Sequence, residues 1–215
     1  MNLYLFDMDG TLVNSINSIS YFANKALNKY GLSSIPVQRY KFLVGSGAGI
    51  LVKRMISETG GDMSLYDKIF KEYVSLYDSN FLYLTKAYDG IEDVLKELKK
   101  RGNKIAIVSN KPHSTAQKIS DTLFGGELID ICFGKKDGYP IKPDPTAVNE
   151  VINILNFKKS DCLYFGDTIT DMQTGKNAGI YTVGVLWGFR DEKELLSGNP
   201  DKIINNTYDI LNCTI

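Results

Sequence analysis

From residue 88 onward, the sequence alternates between amphipathic helical segments and short, almost continuously apolar runs. The runs Lys104–Val108, Cys162–Phe165 and Thr182–Val185 have the length and composition of buried strands. Segments with helical spacing, such as Ile91–Lys100, lie between them. Strands that are apolar on both faces and separated by helices are typical of parallel sheets covered on both sides. The sequence therefore predicts an α/β fold with a doubly wound parallel sheet.

The first apolar run, Leu3–Phe6, is separated from this pattern by a block of different character. Residues 15–81 show helical spacing, as in Ser15–Tyr30, but contain no strand-like run. We therefore expect a core domain of residues 1–14 and 82–215, interrupted by a small all-helical domain of residues 15–81.

Composition limits the classes of partner. Lys+Arg and Asp+Glu both number 25, so no overall positive field attracts nucleic acid or an anionic membrane. No apolar run is long enough to span a bilayer, and we expect no signal segment before the first strand. The three cysteines show no metal-ligand spacing, which fits a reducing compartment. We expect a cytoplasmic monomer or homodimer that binds neither nucleic acid nor membranes.

Two acidic residues, Asp7 and Asp9, directly follow the first strand. Ligands of open α/β sheets bind at the carboxyl ends of the strands, where these side chains would meet a substrate. Paired carboxylates in different environments can divide their work, so Asp7 could serve as nucleophile and metal ligand and Asp9 as proton donor and acceptor. Taken alone, the same residues fit a strand followed by an Asx-rich turn equally well.

Further polar residues follow or lie near the ends of other predicted strands. Ser109 and Asn110 follow the second strand, Lys142 lies in a Lys-Pro-Asp-Pro turn, and Asp167 and Asp171 follow the strand that ends at Phe165. Carboxylates that converge from two strands suit a hard ion such as Mg2+. A hydroxyl and a backbone N–H suit phosphate oxygens, and a lysine offsets negative charge. Together these positions predict a site for phosphate chemistry.

In this order the motifs resemble those of the haloacid dehalogenase superfamily, and most closely its phosphoglycolate-phosphatase-like branch with a helical cap. One departure is Asn14, where the family commonly has a second aspartate before the serine. The resemblance covers nearly the whole chain and rests on Asp7-x-Asp9-Gly10-Thr11, Ser109-Asn110-Lys111, Lys142-Pro143-Asp144-Pro145, Gly166-Asp167-Thr168-x-x-Asp171, the segment Val183–Arg190, and Val44-Gly45-Ser46-Gly47 in the cap.

The resemblance implies a covalent mechanism and a metal site. Asp7 would attack phosphorus to form an aspartyl-phosphate, while Asp9 would protonate the leaving oxygen and then activate water. Mg2+ would be held by the Asp7 carboxylate, the Asp9 backbone carbonyl and Asp167, with Asp171 supporting the ion directly or through water. A metal is also expected on electrostatic grounds, because a carboxylate that attacks a phosphate dianion is otherwise repelled.

The resemblance also assigns the phosphate-binding residues. Ser109, Asn110 and Thr11 would bind phosphoryl oxygens, and Lys142 would steady Asp7 and the developing charge. We therefore expect Asp7, Asp9 and Lys142 to be the catalytic residues.

In the cap, the loop Gly45-Ser46-Gly47 is expected to face the substrate and to read its leaving group. Lys53 and Arg54 could hold one anionic group of the substrate, or could simply lie on a solvated helix face.

The function expected from these features is a Mg2+-dependent phosphatase that acts on a small phosphorylated metabolite, either phosphoglycolate-like or a sugar phosphate. A sugar phosphomutase similar to β-phosphoglucomutase would use the same motifs and differ in the fate of the phosphoaspartate. A non-catalytic phosphate-binding regulatory protein remains a further alternative, although it predicts the loss of a motif residue and none is lost.

Overall fold

The structure is a computed structural model that describes residues 1–215. The chain divides into two units. The core unit comprises Met1–Asn14 and Ala87–Ile215, and the cap unit comprises Ser15–Lys86.

Eight strands and nine helices make up the two units. The strands are β1 (Leu3–Phe6), β2 (Val13–Asn14), β3 (Lys86–Ala87), β4 (Lys104–Pro112), β5 (Ile131–Lys135), β6 (Cys162–Gly166), β7 (Tyr181–Val185) and β8 (Lys202–Ile204). The helices are α1 (Ile16–Lys29), α2 (Val37–Leu43), α3 (Ala48–Glu58), α4 (Tyr66–Ser79), α5 (Ile91–Lys100), α6 (His113–Leu128), α7 (Thr146–Ile154), α8 (Ile169–Ala178) and α9 (Glu192–Ser197).

The core unit is organised around a six-stranded sheet in the order β5-β4-β1-β6-β7-β8, in which every pair of neighbours is parallel. The predicted doubly wound α/β fold is therefore confirmed. The central strand β1 pairs with β4 on one side and with β6 on the other, and Phe6 lies opposite Ile107 and Phe165. Because the three strands run in the same direction, the residues that follow Phe6, Ile107 and Phe165 lie together at the edge formed by the carboxyl ends of the strands.

The helices cover the sheet with apolar faces. Helix α5 buries Ile91, Val94, Leu95 and Leu98, which lie on one face at helical spacing. Its first turn is acidic and its last turn is basic, which suits the helix dipole. The bounds of α5 are those predicted from the sequence.

Several regions of the core unit differ from the sequence-based expectation, among them β4 and the far edge of the sheet. Strand β4 continues to Pro112 instead of ending at Val108, and its register with β5 shifts between Val108 and Pro112. The segment between them is thus extended but leaves the regular ladder. At the far edge, the short strand β8 and helix α9 were not predicted, because three and six residues carry too little periodicity to be recognised.

The cap unit is helical, with a core of aromatic and aliphatic side chains. Phe22 of α1 contacts Tyr77 of α4 edge to face at a centroid distance of 6.0 Å. The cap unit ends at Lys86 rather than at the predicted residue 81. Tyr83 explains the difference, since its ring packs against Tyr21 and Phe22 of α1 and so ties residues 82–86 to the helices.

The structure also bears on the cysteines and on membrane-spanning helices. Cys132, Cys162 and Cys213 are buried free thiols. No helix combines the length and the hydrophobicity that crossing a membrane requires.

Asp130 joins α5 to β4 through a partly buried network. One carboxylate oxygen accepts from Lys104 Nζ at 2.7 Å, and the other accepts from Lys99 Nζ at 2.8 Å and from the Ile105 amide at 2.9 Å. Burial opposes ionisation of Asp130, but hydrogen bonds from Lys104, Lys99 and Ile105 outweigh it and hold its pKa below the usual value. The network therefore stabilises the fold when Asp130 is ionised.

We predict that Asp130→Asn lowers the free energy of unfolding by about 1–3 kcal/mol at pH 7, because hydrogen bonds to a charged group are lost. A depressed folded-state pKa means that this contribution is present above the unfolded-state pKa of about 4 and disappears as the pH falls through the lower folded-state value. Urea unfolding of wild type and variant at neutral and acid pH measures the difference.

The matched control is Glu92→Gln, which removes an exposed i,i+4 pair with Lys96. We expect this change to cost less than about 0.5 kcal/mol at any pH. A cost of Asp130→Asn that stays constant down to pH 3 would contradict the charge-based explanation.

Candidate active site

Three neighbouring strands deliver the polar residues of the site to one edge of the sheet. Asp7 follows β1, and its amide donates to the Phe165 carbonyl of β6 at 2.9 Å. Asp167 directly follows β6, and Ser109 lies in the irregular part of β4. The sequence predicted this convergence, and the parallel register produces it.

Lys142 is a buried cation beside Asp7. Its Nζ lies 2.7 Å from Asp171 Oδ1, 2.8 Å from Asp7 Oδ1 and 3.1 Å from the Tyr164 hydroxyl oxygen. Burial opposes the charge on Lys142, but the charges of Asp171 and Asp7 outweigh it and raise its pKa well above the usual value. An ammonium with three N–H donors is thus surrounded by three oxygens, which fixes its position.

Asp171 uses both carboxylate oxygens within the protein. Oδ1 accepts from Lys142, while Oδ2 accepts from the Thr168 amide at 3.1 Å and hydroxyl at 2.6 Å in a capping box at the start of α8. Gly166 makes room for this arrangement, since a Cβ there would lie 2.1 Å from the Asp171 Cβ. Asp171 therefore orients Lys142 as well as belonging to the acidic cluster.

Asp167 is fully buried and held on both sides. Its Oδ1 accepts from the Thr11 hydroxyl at 3.1 Å, and its Oδ2 accepts from the Phe189 amide at 2.9 Å. The hydroxyl of Thr11, predicted to bind phosphate, is thus engaged with a carboxylate. Gly10 has a φ of 90°, and a Cβ added to it would lie 2.2 Å from Asp167 Oδ2. Close packing of backbone against Asp167 therefore requires glycine at this position.

Three carboxylates accumulate negative charge beside Lys142. Oxygens of Asp7, Asp167 and Asp171 all lie within 4.8 Å of one another. Burial, together with the charge of Asp171, raises the pKa of Asp7 to about 6 against the pull of Lys142. Burial and the charges of Asp171 and Asp7 raise the pKa of Asp167 well above its usual value. One lysine does not balance this cluster.

The cluster fits a hard divalent cation. Asp7 Oδ1 is buried, and Lys142 Nζ is its one close partner. A buried carboxylate oxygen with unused lone pairs, next to two further carboxylates, is a donor set that suits Mg2+. The residues present therefore fit the metal predicted from the sequence.

Ser109 and Asn110 lie beside this cluster, but the Asn110 side chain has a separate task. Its amide donates to the Lys142 carbonyl at 3.2 Å, and its carbonyl oxygen accepts from the Lys142 backbone N–H at 2.8 Å. This pair of hydrogen bonds anchors the backbone of Lys142 to β4. Binding of phosphoryl oxygens by Ser109 and by the Asn110 backbone stays a prediction.

Sequence reasoning missed two contributors to the site. Tyr164 belongs to an apolar strand that predicts only packing, yet its hydroxyl contacts Lys142. Lys111 was noted only as part of a motif, yet its Nζ lies 3.0 Å from Asp9 Oδ2 and 3.1 Å from Asp9 Oδ1. Nothing in the sequence pattern indicates this pairing, because Lys111 and Asp9 are far apart along the chain.

In the cap unit, the predicted specificity residues form a braced loop. Gly45 and Gly47 have positive φ values of 107° and 83°. Arg54 donates to the Leu43 carbonyl at 2.8 Å and to the Ser46 hydroxyl at 3.3 Å, so its guanidinium holds the loop. Lys53 Nζ lies 5.5 Å from the centroid of the Tyr66 ring. Recognition of a substrate by these residues stays a prediction.

The chain is similar to known hydrolases. Residues 4–185 match the family described as haloacid dehalogenase-like hydrolase. The chain is 32% identical to the phosphoglycolate phosphatase of Aquifex aeolicus over 98% of this chain and 95% of that protein. It is 26% identical to phosphoglycolate phosphatase 1 of Pseudomonas aeruginosa over 98% of this chain and 79% of the relative.

A solved structure gives the same result for the fold. A protein from Lactobacillus delbrueckii subsp. bulgaricus matches with a TM-score of 0.92 and 26% identity, over 98% of this chain and 97% of the other. The predicted resemblance and the predicted hydrolase activity on phosphate esters are confirmed by these relatives. The chain therefore belongs to the haloacid dehalogenase-like hydrolase family, in which it is similar to the phosphoglycolate phosphatases.

Proposed function

We propose that this protein is a Mg2+-dependent phosphatase that hydrolyses small phosphomonoesters through an aspartyl-phosphate on Asp7. The observation that carries the proposal is the state of Asp7 Oδ1, which is buried and whose one close partner is Lys142 Nζ at 2.8 Å. A nucleophile needs an available lone pair and a nearby positive charge to offset the negative charge of the phosphate.

The chain's own residues divide the work of the two half-reactions. Asp7 attacks phosphorus while the bond to the leaving oxygen breaks, and Asp9 supplies the proton to that oxygen. Asp9 then takes a proton from the water that attacks the phosphoaspartate, which releases phosphate and restores Asp7. Lys142 offsets the charge on Asp7, and Ser109 together with the backbone N–H of Asn110 binds phosphoryl oxygens.

Mg2+ would be held by the Asp7 carboxylate, the Asp9 backbone carbonyl and Asp167, with Asp171 close by. When bound, the ion supplies positive charge that offsets the carboxylates and the phosphate. Asp171 already contacts Lys142 and Thr168, so its support of the ion is indirect in this proposal.

The substrate class follows from the relatives named as phosphoglycolate phosphatases. We propose 2-phosphoglycolate or a similarly small carboxylated phosphate ester as the substrate. Phosphate release from 2-phosphoglycolate and from glucose 1-phosphate, measured together with product isomers, tests this choice. Conversion of glucose 1-phosphate to its 6-phosphate with little phosphate released would instead identify a mutase.

We predict that Asp7→Asn reduces turnover by roughly 10³-fold or more, because the nucleophile is removed while its shape is kept. Steady-state phosphate release with saturating Mg2+ measures the effect, and thermal unfolding verifies that the variant is folded. Asp121→Asn on the exposed face of α6 is the matched control and should leave turnover unchanged. Substantial residual activity in Asp7→Asn would rule out the covalent mechanism.

A second prediction concerns the metal. Mg2+ should raise the melting temperature of the wild-type protein, because a ligand that binds only the folded state stabilises it. Asp167→Ala should reduce or abolish this shift and weaken Mg2+ binding in calorimetry, whereas Asp137→Ala at an exposed position should not. Equal Mg2+ binding by wild type and Asp167→Ala would show that the assigned site is wrong.

A third prediction separates catalysis from stability at Lys142. Tyr164→Phe should lower the free energy of unfolding by about 1–3 kcal/mol and reduce kcat with little change in KM, because Lys142 loses a hydrogen-bond partner.

The control is Tyr4→Phe, which removes another buried hydroxyl. Tyr4 donates to the Cys213 carbonyl at 3.1 Å, away from the proposed site. The Tyr4→Phe variant should be less stable than the wild type but retain its kcat. Equal losses of kcat in the two variants would argue against a specific role for Tyr164.

A further inference from the structure

We propose that Lys111 is a positioning residue, which holds the Asp9 carboxyl in the orientation needed to donate a proton to the leaving oxygen. The inference rests on the proposed function, in which Asp9 is the acid and base. It concerns a residue that the proposed mechanism does not otherwise use.

The contact between Lys111 and Asp9 involves both carboxylate oxygens. Lys111 Nζ lies 3.0 Å from Oδ2 and 3.1 Å from Oδ1 of Asp9. One ammonium that bridges both oxygens restrains rotation of the carboxyl group as well as its position, which a single hydrogen bond would not do. The Asp9 carboxyl therefore has a defined plane before any substrate binds.

The burial of the two side chains is unequal. The side chain of Lys111 is 6% exposed, whereas that of Asp9 is 20% exposed. A buried ammonium is costly unless it is paired, so Lys111 is constrained to stay beside the carboxylate. Asp9 keeps an accessible part for contact with a leaving group, while Lys111 holds it from the protein side.

The backbone of Lys111 is itself placed by close packing. Its N–H donates to the Ser109 hydroxyl oxygen at 3.3 Å, in the part of β4 where the register with β5 shifts. On the other side, a Cβ added at Gly134 would lie 2.7 Å from the Lys111 carbonyl oxygen. The absence of a side chain at Gly134 lets β5 approach this segment, so close packing fixes the backbone from which the ammonium extends.

The two aspartates of the first motif thus each have a buried lysine. Lys142 lies 2.8 Å from Asp7, and Lys111 lies 3.0 Å from Asp9. The separate cations keep the two carboxyl groups from sharing one partner, so each can hold a different orientation. Loss of Lys111 should then affect the step that depends on Asp9 and leave attack by Asp7 possible.

Substrates whose leaving groups differ in basicity can show whether proton donation by Asp9 is impaired. In the first half-reaction, the P–O bond to the leaving oxygen breaks, its electron pair stays on that oxygen, and the Asp9 proton is transferred to it. Phenolate needs this proton more than the less basic 4-nitrophenolate does. A defect in proton donation therefore slows phenyl phosphate more than 4-nitrophenyl phosphate.

The experiment compares wild type and Lys111→Met with these two esters under saturating Mg2+. We expect the rate of phosphoenzyme formation, measured as the phenol burst or as kcat where that step limits turnover, to fall about 10²-fold for phenyl phosphate. The fall for 4-nitrophenyl phosphate should be at least several-fold smaller. Lys111→Arg can also bind both oxygens of a carboxylate, so it should recover most of the rate that Lys111→Met loses with phenyl phosphate.

A control variant and two contrary outcomes complete the experiment. Lys118→Met on α6, an exposed lysine, should leave both rates unchanged. Equal losses with the two esters, or no loss, would overturn the role of Lys111. If Lys111→Met does not fold, as judged by its thermal transition, Lys111→Gln replaces it and must show the same leaving-group pattern. No phosphate release by the wild-type protein from any ester would overturn the proposed function itself, and this inference with it.

Discussion

The active-site region depends on burying one ammonium, that of Lys142, between carboxylates at the edge of the sheet. Taking this charge out of water is costly, and the cost is offset only by close partners with good geometry. Asp7, Asp171 and Tyr164 supply those partners from different elements. Removal of one charged partner of a buried pair typically costs about 3–5 kcal/mol, so the site and the local fold cannot be altered independently.

This dependence explains why several residues near the site serve structure and chemistry together. Asp171 caps α8 through Thr168 and at the same time holds Lys142. Asn110 anchors the backbone of Lys142 with two hydrogen bonds from β4. The ends of β4 and β6 are thereby linked through one side chain, and the lysine reaches Asp7 in a defined orientation.

The sequence was informative where a strand ended in a polar residue. The positions of Asp7, Ser109 and Asp167 could be placed at one sheet edge, because apolar strands separated by helices imply parallel pairing. The doubly wound core and the helical insertion followed from the same patterns, whereas the family resemblance followed from the motifs at the strand ends.

What the sequence did not predict depends on side-chain contacts between distant segments. The Lys111–Asp9 pair and the hydroxyl of Tyr164 have no periodic signature, since a lysine after a strand and a tyrosine within one are ordinary on their own. Likewise, the second boundary of the cap unit depends on where the ring of Tyr83 packs, which spacing along the chain does not encode.

The central position of β1 has a consequence for synthesis of the chain. β1 is made before both of its neighbours, and its Leu3 pairs with Lys104 and Cys162. At a ribosomal rate of about 5–20 residues per second, this apolar strand waits for seconds before a partner emerges. The helical cap unit is translated during that interval. The order of translation therefore leaves the strand that precedes Asp7 without its sheet partners until the cap unit has been made, and an unpaired apolar strand is open to misassembly during that interval.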